Sequence, residues 1–591
     1  MSILEYINSP KDLKPLNIAQ LTELAGEVRT AILNKVSHTG GHVGPNLGIV
    51  EATVALHYVF DSPTDKIVFD VSHQCYAHKI LTGRKEAFLD ERQMKKYSGY
   101  TNPAESEHDF FQVGHTSTSV SLACGLAKAR DIRGENGNVI AVIGDGSLSG
   151  GEALEGLNNA AVISRNMIIV VNDNEMSIAE NHGGLYQALR TLRATNGTAA
   201  NNWFKAMGFD YRYVENGNNV ADLVAAFQTV KDTDRPVVVH IHTQKGKGYS
   251  FAEENKEFWH HYTRAFNLDT GKPDIDFGGG PTFASMTAEY LMERVKKDPR
   301  IVVVNAGTPG AVGFGPNERA QMGENFVDVG IAEEHAVAMT SALAKGGCKP
   351  VYLCLSTFIQ RTYDQLSQDL AINNNPAVIV VFYGSITAIN DVTHMGLFDI
   401  PMIANIPNIT YLTPSGVDEY RAMLDWGIDQ NKGPVVIRVP MDWAAQPVPL
   451  SANYGIPKYE ILSDGSEVAI LGVGTFLSLA RDVKMFLQDY GIRATLINPR
   501  MVSAPDTKTL DSLKANHRLV LTLEDGALDG GFGEKIARYY GMDDMHVMCR
   551  GARKEFTDRI CASDLRERYR LEPMTIAKDV VKALKKWGYF D

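Results

Sequence analysis

Between Val139 and Asn174 the chain spells out one complete repeat of a parallel sheet. Val139-Ile140-Ala141-Val142-Ile143 is a short apolar run that ends in Gly144-Asp145-Gly146. A small-residue helical pattern follows through Gly151-Glu152-Ala153-Leu154-Glu155, and a second apolar run, Met167 to Val171, ends in Asn172-Asp173-Asn174. Strands this uniformly apolar are covered on both faces, and a helix between two of them makes them parallel. Both polar triplets then fall at the carboxyl ends of strands, where open parallel sheets hold their ligands.

The two triplets carry complementary chemistry. Asp145 offers a carboxylate and Asn174 a side-chain carbonyl, hard oxygen donors suited to Mg²⁺ or Ca²⁺ rather than zinc. The glycines let a diphosphate approach the backbone, and the helix start that follows favours negative charge. Alone, Gly-Asp-Gly is an ordinary turn after a buried strand. Followed through one helix and one strand by Asn-Asp-Asn, it predicts a metal that clamps a diphosphate.

The same alternation continues along all 591 residues, too many for one core. In the first stretch, 1–275, Ile18 to Val36 has a helical stripe of Leu21, Leu24, Val28, Ile32 and Val36, and strands are expected at Ile67 to Asp70, Val139 to Ile143, Met167 to Asn172 and Pro236 to His242. A Gly/Pro-rich passage near Gly278-Gly279-Gly280-Pro281 marks a boundary. The second stretch, 282–450, has strands near Ile301 to Asn305, Pro350 to Leu355, Ala377 to Phe382, Ile409 to Thr413 and Val435 to Arg438. After the prolines from Pro440 to Pro457, a third stretch, 458–591, has them at Val468 to Leu471, Ala494 to Ile497, Leu519 to Leu523 and Met545 to Met548. The expectation is an α/β protein of three doubly wound domains with mainly parallel sheets.

A net charge of −12 argues against nucleic acid as a partner, so an anionic substrate must be met by local cations or a metal. The six cysteines have no C-x-x-C spacing and suit a reducing compartment. The N-terminus has no basic-then-apolar leader, and no apolar run approaches the roughly 20 residues of a membrane helix. A cytoplasmic location without membrane association is expected.

The paired triplets resemble the thiamine diphosphate signature of the transketolase superfamily. That resemblance implies Asp145, Asn174 and the backbone carbonyl of Met176 as Mg²⁺ ligands. In the second stretch, Asp328-Val329-Gly330-Ile331-Ala332-Glu333-Glu334-His335 is similar to the superfamily's glutamate motif, and Glu333 takes the place of the glutamate that promotes the imino tautomer of the aminopyrimidine. Asp70-Val71-Ser72-His73-Gln74, Gly114-His115-Thr116-Ser117-Thr118-Ser119 and Ser356 to Gln365 resemble, more narrowly, the 1-deoxy-D-xylulose-5-phosphate synthase family. The resemblance runs over nearly the whole chain with its motifs in order. It implies cofactor contacts from His73, Gly114, His115, Thr116, Gly146, Ser147, Asn174, Tyr249, Glu333 and Phe358. It implies catalytic roles for Glu333, for His42 as the glycine-flanked proton-moving histidine, for Arg361, for His394, and for a later histidine that falls on His260 or His261.

The family reaction joins pyruvate to D-glyceraldehyde 3-phosphate with loss of CO₂, a step that serves isoprenoid and thiamine biosynthesis, and the family forms homodimers. Whether the site lies within one chain or between two is left open. The acceptor side departs from the family. The arginine expected after Val380-Val381-Phe382 is Gly384, the loop Ser385 to Val392 is one residue short, and a second arginine is Met441, next to Asp442. Each arginine bond to a phosphate is worth about 1.5–3 kcal/mol, so losing both weakens acceptor binding by orders of magnitude unless another cation substitutes. The connection from Glu180 to Trp203 is also short, and Gly41-His42-Val43-Gly44-Pro45 leans toward a transketolase pattern. Three readings follow: the synthase itself, a transketolase-like carboligase of the same fold with a different aldehyde or sugar acceptor, and a non-catalytic thiamine diphosphate-binding protein.

Overall fold

The structure is a computed structural model that describes residues 2–163, 166–274, 280–389, 391–441 and 447–589. It divides into two compact units, Met1–Gly279 with Gly330–Ala332, and Gly280–Val329 with Glu333–Asp591.

The first unit is built on β1 (Lys66–Phe69), β2 (Val139–Gly144), β3 (Met167–Asp173), β4 (Asp210–Val214) and β5 (Val237–His242). All pairings are parallel, in the order β1-β2-β3-β5-β4. Alternate residues feed two cores. Ile140, Val142, Ile168 and Val170 join one apolar cluster with Leu21, Leu24, Val28, Ile32 and Val36 of the helix Ile18–Thr39. Ala141, Ile143, Ile169 and Val171 join the other. This is the period-two division that a strand covered on both faces requires.

The second unit carries two sheets. One contains β6 (Ile301–Asn305), β7 (Phe326–Asp328), β8 (Lys349–Leu355), β9 (Val378–Phe382), β10 (Thr410–Leu412) and β11 (Val435–Val439), all parallel in the order β10-β11-β9-β8-β6-β7. The other contains β12 (Glu460–Ser463), β13 (Glu467–Gly472), β14 (Thr495–Asn498), β15 (His517–Ala527) and β16 (His546–Ala552), parallel except for the antiparallel edge pair β12–β14. Tyr352, Ile379 and Val436 of the first of these sheets share one apolar cluster with Ala469, Leu471 and Val520 of the second. That common core is why residues 282–450 and 458–591 form a single compact unit rather than two. Buried ion pairs reinforce it: Arg500 Nε lies 2.8 Å from Glu419 Oε1, and Arg438 donates to both Asp399 and the Asp525 carbonyl.

The expected strands are present within a residue or two at most ends. Three strands went unforeseen, β4, β7 and β12, and each lies at the edge of its sheet. An edge strand is half exposed and mixes polar with apolar residues, as Asp210-Tyr211-Arg212-Tyr213 does, so it carries no continuous apolar run.

Candidate active site

In the first unit, the ends of β1, β2 and β3 are tied into one surface. Gly144 is level with Asn172 in the β2–β3 register, and the Asp145 N–H donates to the Asn172 carbonyl. Asp70, just past β1, is fully buried and accepts the N–H groups of Ser117 at 2.8 Å and Ser119 at 3.0 Å. It thereby fixes the loop that carries Gly114, His115 and Thr116. Ser117 Oγ in turn donates to the Ser147 carbonyl at 2.8 Å. Val71, Ser72 and Ser117 all have positive φ, a strain that persists only where surrounding bonds enforce it. A Cβ on Gly146 would lie 2.6 Å from Ser177 Oγ, so the turn after Asp145 has no room for a side chain.

Within the Asn172-Asp173-Asn174 triplet the three side chains have separate fates. Asn172 Oδ1 accepts from Thr243 Oγ1 at 2.6 Å. Asp173 is bound by His240 Nε2 at 2.9 Å and by Arg193; burial raises its pKa, but these two partners outweigh burial and hold it below the usual carboxylate range. Asn174 Oδ1 is buried and has no hydrogen-bond partner. Across from this triplet, Asp145 is buried and accepts the Asn181 amide, at 2.7 Å, on one carboxylate oxygen. Burial, then the charge of Asp173, push its pKa up to about 7. A carboxylate short of positive charge and an orphaned carbonyl are what a divalent cation with oxygen ligands would satisfy. The donor set therefore fits Mg²⁺, and Met176, two residues beyond Asn174, lies in a tight turn closed by its bridge to Glu180.

Lys245 is a cation that sequence reasoning passed over. It follows β5, is almost fully buried, and donates from Nζ to the Ser177 carbonyl at 2.5 Å. Burial lowers its pKa to about 7, against the attraction of Asp145. The signal was available in Lys245-Gly246-Lys247-Gly248-Tyr249, a basic glycine run at a strand end, from which only Tyr249 was taken. Tyr249 itself packs in an aromatic cluster with Phe251, Trp259 and Phe266, its hydroxyl buried and unpartnered.

Four histidines from three segments converge. The His42 ring is 4.9 Å from His73 and 4.3 Å from His261, and the His73 ring stacks on His260 at 5.3 Å. Both of the later histidines lie in this cluster, His261 against His42 and His260 against His73. Burial, then the nearby Lys245 charge, hold His260 neutral, with a pKa well below the ordinary histidine value. His42 reaches this position because Gly40 and Gly41 adopt positive φ at the end of the helix Ile18–Thr39, and Gly41 exchanges two backbone bonds with Tyr262.

In the second unit, Glu333 opens the helix Glu333–Lys345 and is buried. Arg361 Nη1 lies 3.6 Å from its Oε2, which has no hydrogen-bond partner, and burial raises the Glu333 pKa in spite of that arginine. Phe358 meets His394 edge-on at 5.7 Å. His394 Nδ1 is 2.8 Å from Thr393 Oγ1 and 3.5 Å from Asp391. Glu333, Arg361, Phe358 and His394 therefore belong to one unit, and Asp145, Asn174 and the other histidines to the other.

The acceptor-side departures have a structural counterpart. A Cβ on Gly384 would lie 2.7 Å from Arg438 Nε, and that guanidinium is committed to Asp399 at 2.6 Å and to the Asp525 carbonyl at 2.7 Å. Met441 is half exposed; Asp442 lies outside the described residues.

Comparison with known proteins agrees with this division. The family model 1-deoxy-D-xylulose-5-phosphate synthase matches residues 4–202 and 193–243, the transketolase pyrimidine binding domain matches 280–443, and the transketolase C-terminal domain matches 457–555. The chain is 37% identical to the 1-deoxy-D-xylulose-5-phosphate synthase of Shouchella clausii, over 98% of this chain and 99% of that one. It is 39% identical to the synthase of Carboxydothermus hydrogenoformans over 91% of this chain and 92% of the other, and 37% identical to synthase 1 of Geobacter sulfurreducens over 90% of each. With strand-end donors suited to a diphosphate-bound metal and identity of this order along nearly its whole length, the chain belongs to the 1-deoxy-D-xylulose-5-phosphate synthase family.

Proposed function

We propose that this chain is a thiamine diphosphate- and Mg²⁺-dependent transferase that decarboxylates pyruvate and joins the two-carbon unit to D-glyceraldehyde 3-phosphate, giving 1-deoxy-D-xylulose 5-phosphate. The observation that carries the reading is the pair of underpartnered oxygen donors, Asp145 and Asn174, on adjacent strand ends. Thiamine diphosphate, when bound, supplies a carbon nucleophile and a sink for the electron pair left by departing CO₂.

The residues of the chain do the rest. Asp145, Asn174 Oδ1 and the Met176 carbonyl would hold Mg²⁺, and Gly146, Ser147 and the 114–116 loop would contact the diphosphate. Lys245 adds a buried cation to that cradle. Glu333, whose pKa burial raises in spite of Arg361, would face the aminopyrimidine and exchange a proton with it, and Phe358 would pack on that ring. Arg361 would offer a positive charge to the pyruvate carboxylate, while His42, His261 and His394 would move protons at the reacting oxygens and His73 would contact the cofactor.

The diphosphate-binding role falls to residues 1–275, the aminopyrimidine role to 282–450, and 458–591 forms the C-terminal domain. The proposal extends to a homodimer, which sedimentation would register as twice 64.9 kDa. Among the described residues no helix is long and apolar enough to cross a membrane. A cytoplasmic enzyme fits the free cysteines.

The test is direct: protein with thiamine diphosphate, Mg²⁺, pyruvate and D-glyceraldehyde 3-phosphate releases CO₂ and forms the 1-deoxyketose phosphate. Absence of CO₂ refutes the reading. A second reading, the same carboligation onto an acceptor gripped without arginines, is favoured by the packing of Gly384 against a committed Arg438. It prevails if unphosphorylated glyceraldehyde accelerates CO₂ release as much as the phosphate ester does.

A further inference from the structure

His42 follows two glycines with positive φ, Gly41 is tied to Tyr262 by two backbone bonds, and the His42 N–H donates to the Tyr76 hydroxyl at 3.4 Å. His73 leads into a segment anchored by buried polar bonds. His78 Nε2 is 2.8 Å from Asp109 Oδ1, His78 Nδ1 is 2.9 Å from His57 Nε2, and Arg84 grips Asp109 at 2.7 and 2.8 Å. Between the two histidines lies Asn46, in the short helix Gly44–Gly48, with no exposed surface. Its amide nitrogen donates to the His42 carbonyl at 2.7 Å and to the His73 carbonyl at 2.7 Å, and its Oδ1 accepts the Tyr76 N–H at 2.9 Å. Two carbonyls on one side and an N–H on the other admit a single orientation of the amide.

We propose that Asn46 is a positioning residue that sets the spacing of His42 from His73 by bridging their carbonyls from one buried amide. The inference rests on the reading of His42 as a proton-moving group. An amide is required because both bridged groups are acceptors. Aspartate keeps the bond from the Tyr76 N–H but turns an oxygen toward two carbonyls, and serine can donate to only one of them. Neither substitution touches the metal donors or Glu333, and His73 keeps the anchorage of the segment it leads into, so the main loss is of the histidine spacing.

The experiment uses the full chain with thiamine diphosphate and Mg²⁺, comparing Asn46→Asp, Asn46→Ser, His42→Ala and the double variants, each checked for cooperative melting. Displacement of a reacting group by about 1 Å costs roughly 100-fold, so Asn46→Asp is expected to lower kcat by about that factor, with Asn46→Ser intermediate. In the His42→Ala background the same substitutions are expected to change kcat less than about threefold, because a residue acting through His42 has nothing left to position. Asn46→Ser carries the test if Asn46→Asp fails to melt cooperatively. Equal losses in both backgrounds, or full activity of Asn46→Ser, overturn the proposal. Full activity of His42→Ala overturns the role of His42 and the inference with it, whereas an inactive His42→Ala beside an active Asn46→Ser removes only Asn46.

Discussion

Replacing Asp145 with asparagine is expected to stabilise the metal-free protein while removing its response to Mg²⁺. Asp145 has a folded-state pKa of about 7 against 3.8 for the free side chain, so the folded state keeps its proton where the unfolded state loses it. Below 3.8 both states are protonated and the site is neutral in its effect. As pH rises from 3.8 to 7 the unfolded state is progressively favoured, and above 7 the full cost stands. A difference of about three pKa units corresponds to roughly 4 kcal/mol, about half of it developed by pH 5.5 and nearly all the rest between pH 5.5 and 8. Asparagine keeps an acceptor for the Asn181 amide and never ionises. Without metal, Asp145→Asn should therefore melt above wild type, with a margin that widens from pH 5.5 to pH 8. With thiamine diphosphate and Mg²⁺ the order should reverse, since wild type gains an ion at the carboxylate and the variant does not. Thermal melts of the EDTA-treated and reconstituted proteins at the two pH values read both effects. A margin that stays flat or narrows as pH rises would show that the Asp145 carboxylate is not the strained, metal-awaiting group described above.

Glu333→Ala should lower kcat by roughly 10²–10⁴-fold with melting unchanged, because the loss is one of proton transfer; activity within a few-fold of wild type would remove Glu333 from that role. Lys245→Met should weaken thiamine diphosphate binding by about tenfold or more, measured by titration of the apoprotein, in proportion to the loss of a charge-assisted bond of about 1.5–3 kcal/mol. Met441→Arg, at a half-exposed position, should lower KM for D-glyceraldehyde 3-phosphate without changing it for unphosphorylated glyceraldehyde. Gly384→Arg should instead lower the melting temperature, because its Cβ enters the space of Arg438 and disturbs that residue's bonds to Asp399; a gain in acceptor affinity there would show that Arg438 yields.

The legible part of the fold was the part buried on both faces. Val139 to Ile143 and Met167 to Val171 announce themselves because every residue meets an apolar layer, and the helix Ile18–Thr39 because its five apolar positions all reach the core. The edge strands β4, β7 and β12 carry mixed residues and no such pattern. The candidate site divides the same way. Asp145 and Asn174 stand out because polar residues that close apolar runs have few uses. Lys245 and Asn46 passed unnoticed because lysine and asparagine in glycine-rich turns are ordinary until burial shows that nothing but function or exact pairing keeps them from water.

By itself, the sequence determined the parallel α/β architecture, the chemistry of the paired triplets and the family, since each depends on residue order within a strand–turn–helix repeat or on identity spread along the chain. Tertiary structure alone decided which donors remain unsatisfied. Asn172, Asp173 and Asn174 are adjacent in sequence, yet Thr243 takes the first, His240 and Arg193 the second, and the third is left with its carbonyl unpartnered. It also brought His260 onto His73 and His261 onto His42, and filled the space beside Gly384 with Arg438. Hydrogen-bond partners and electrostatic neighbours come from segments tens of residues apart, and only the folded chain sets those distances.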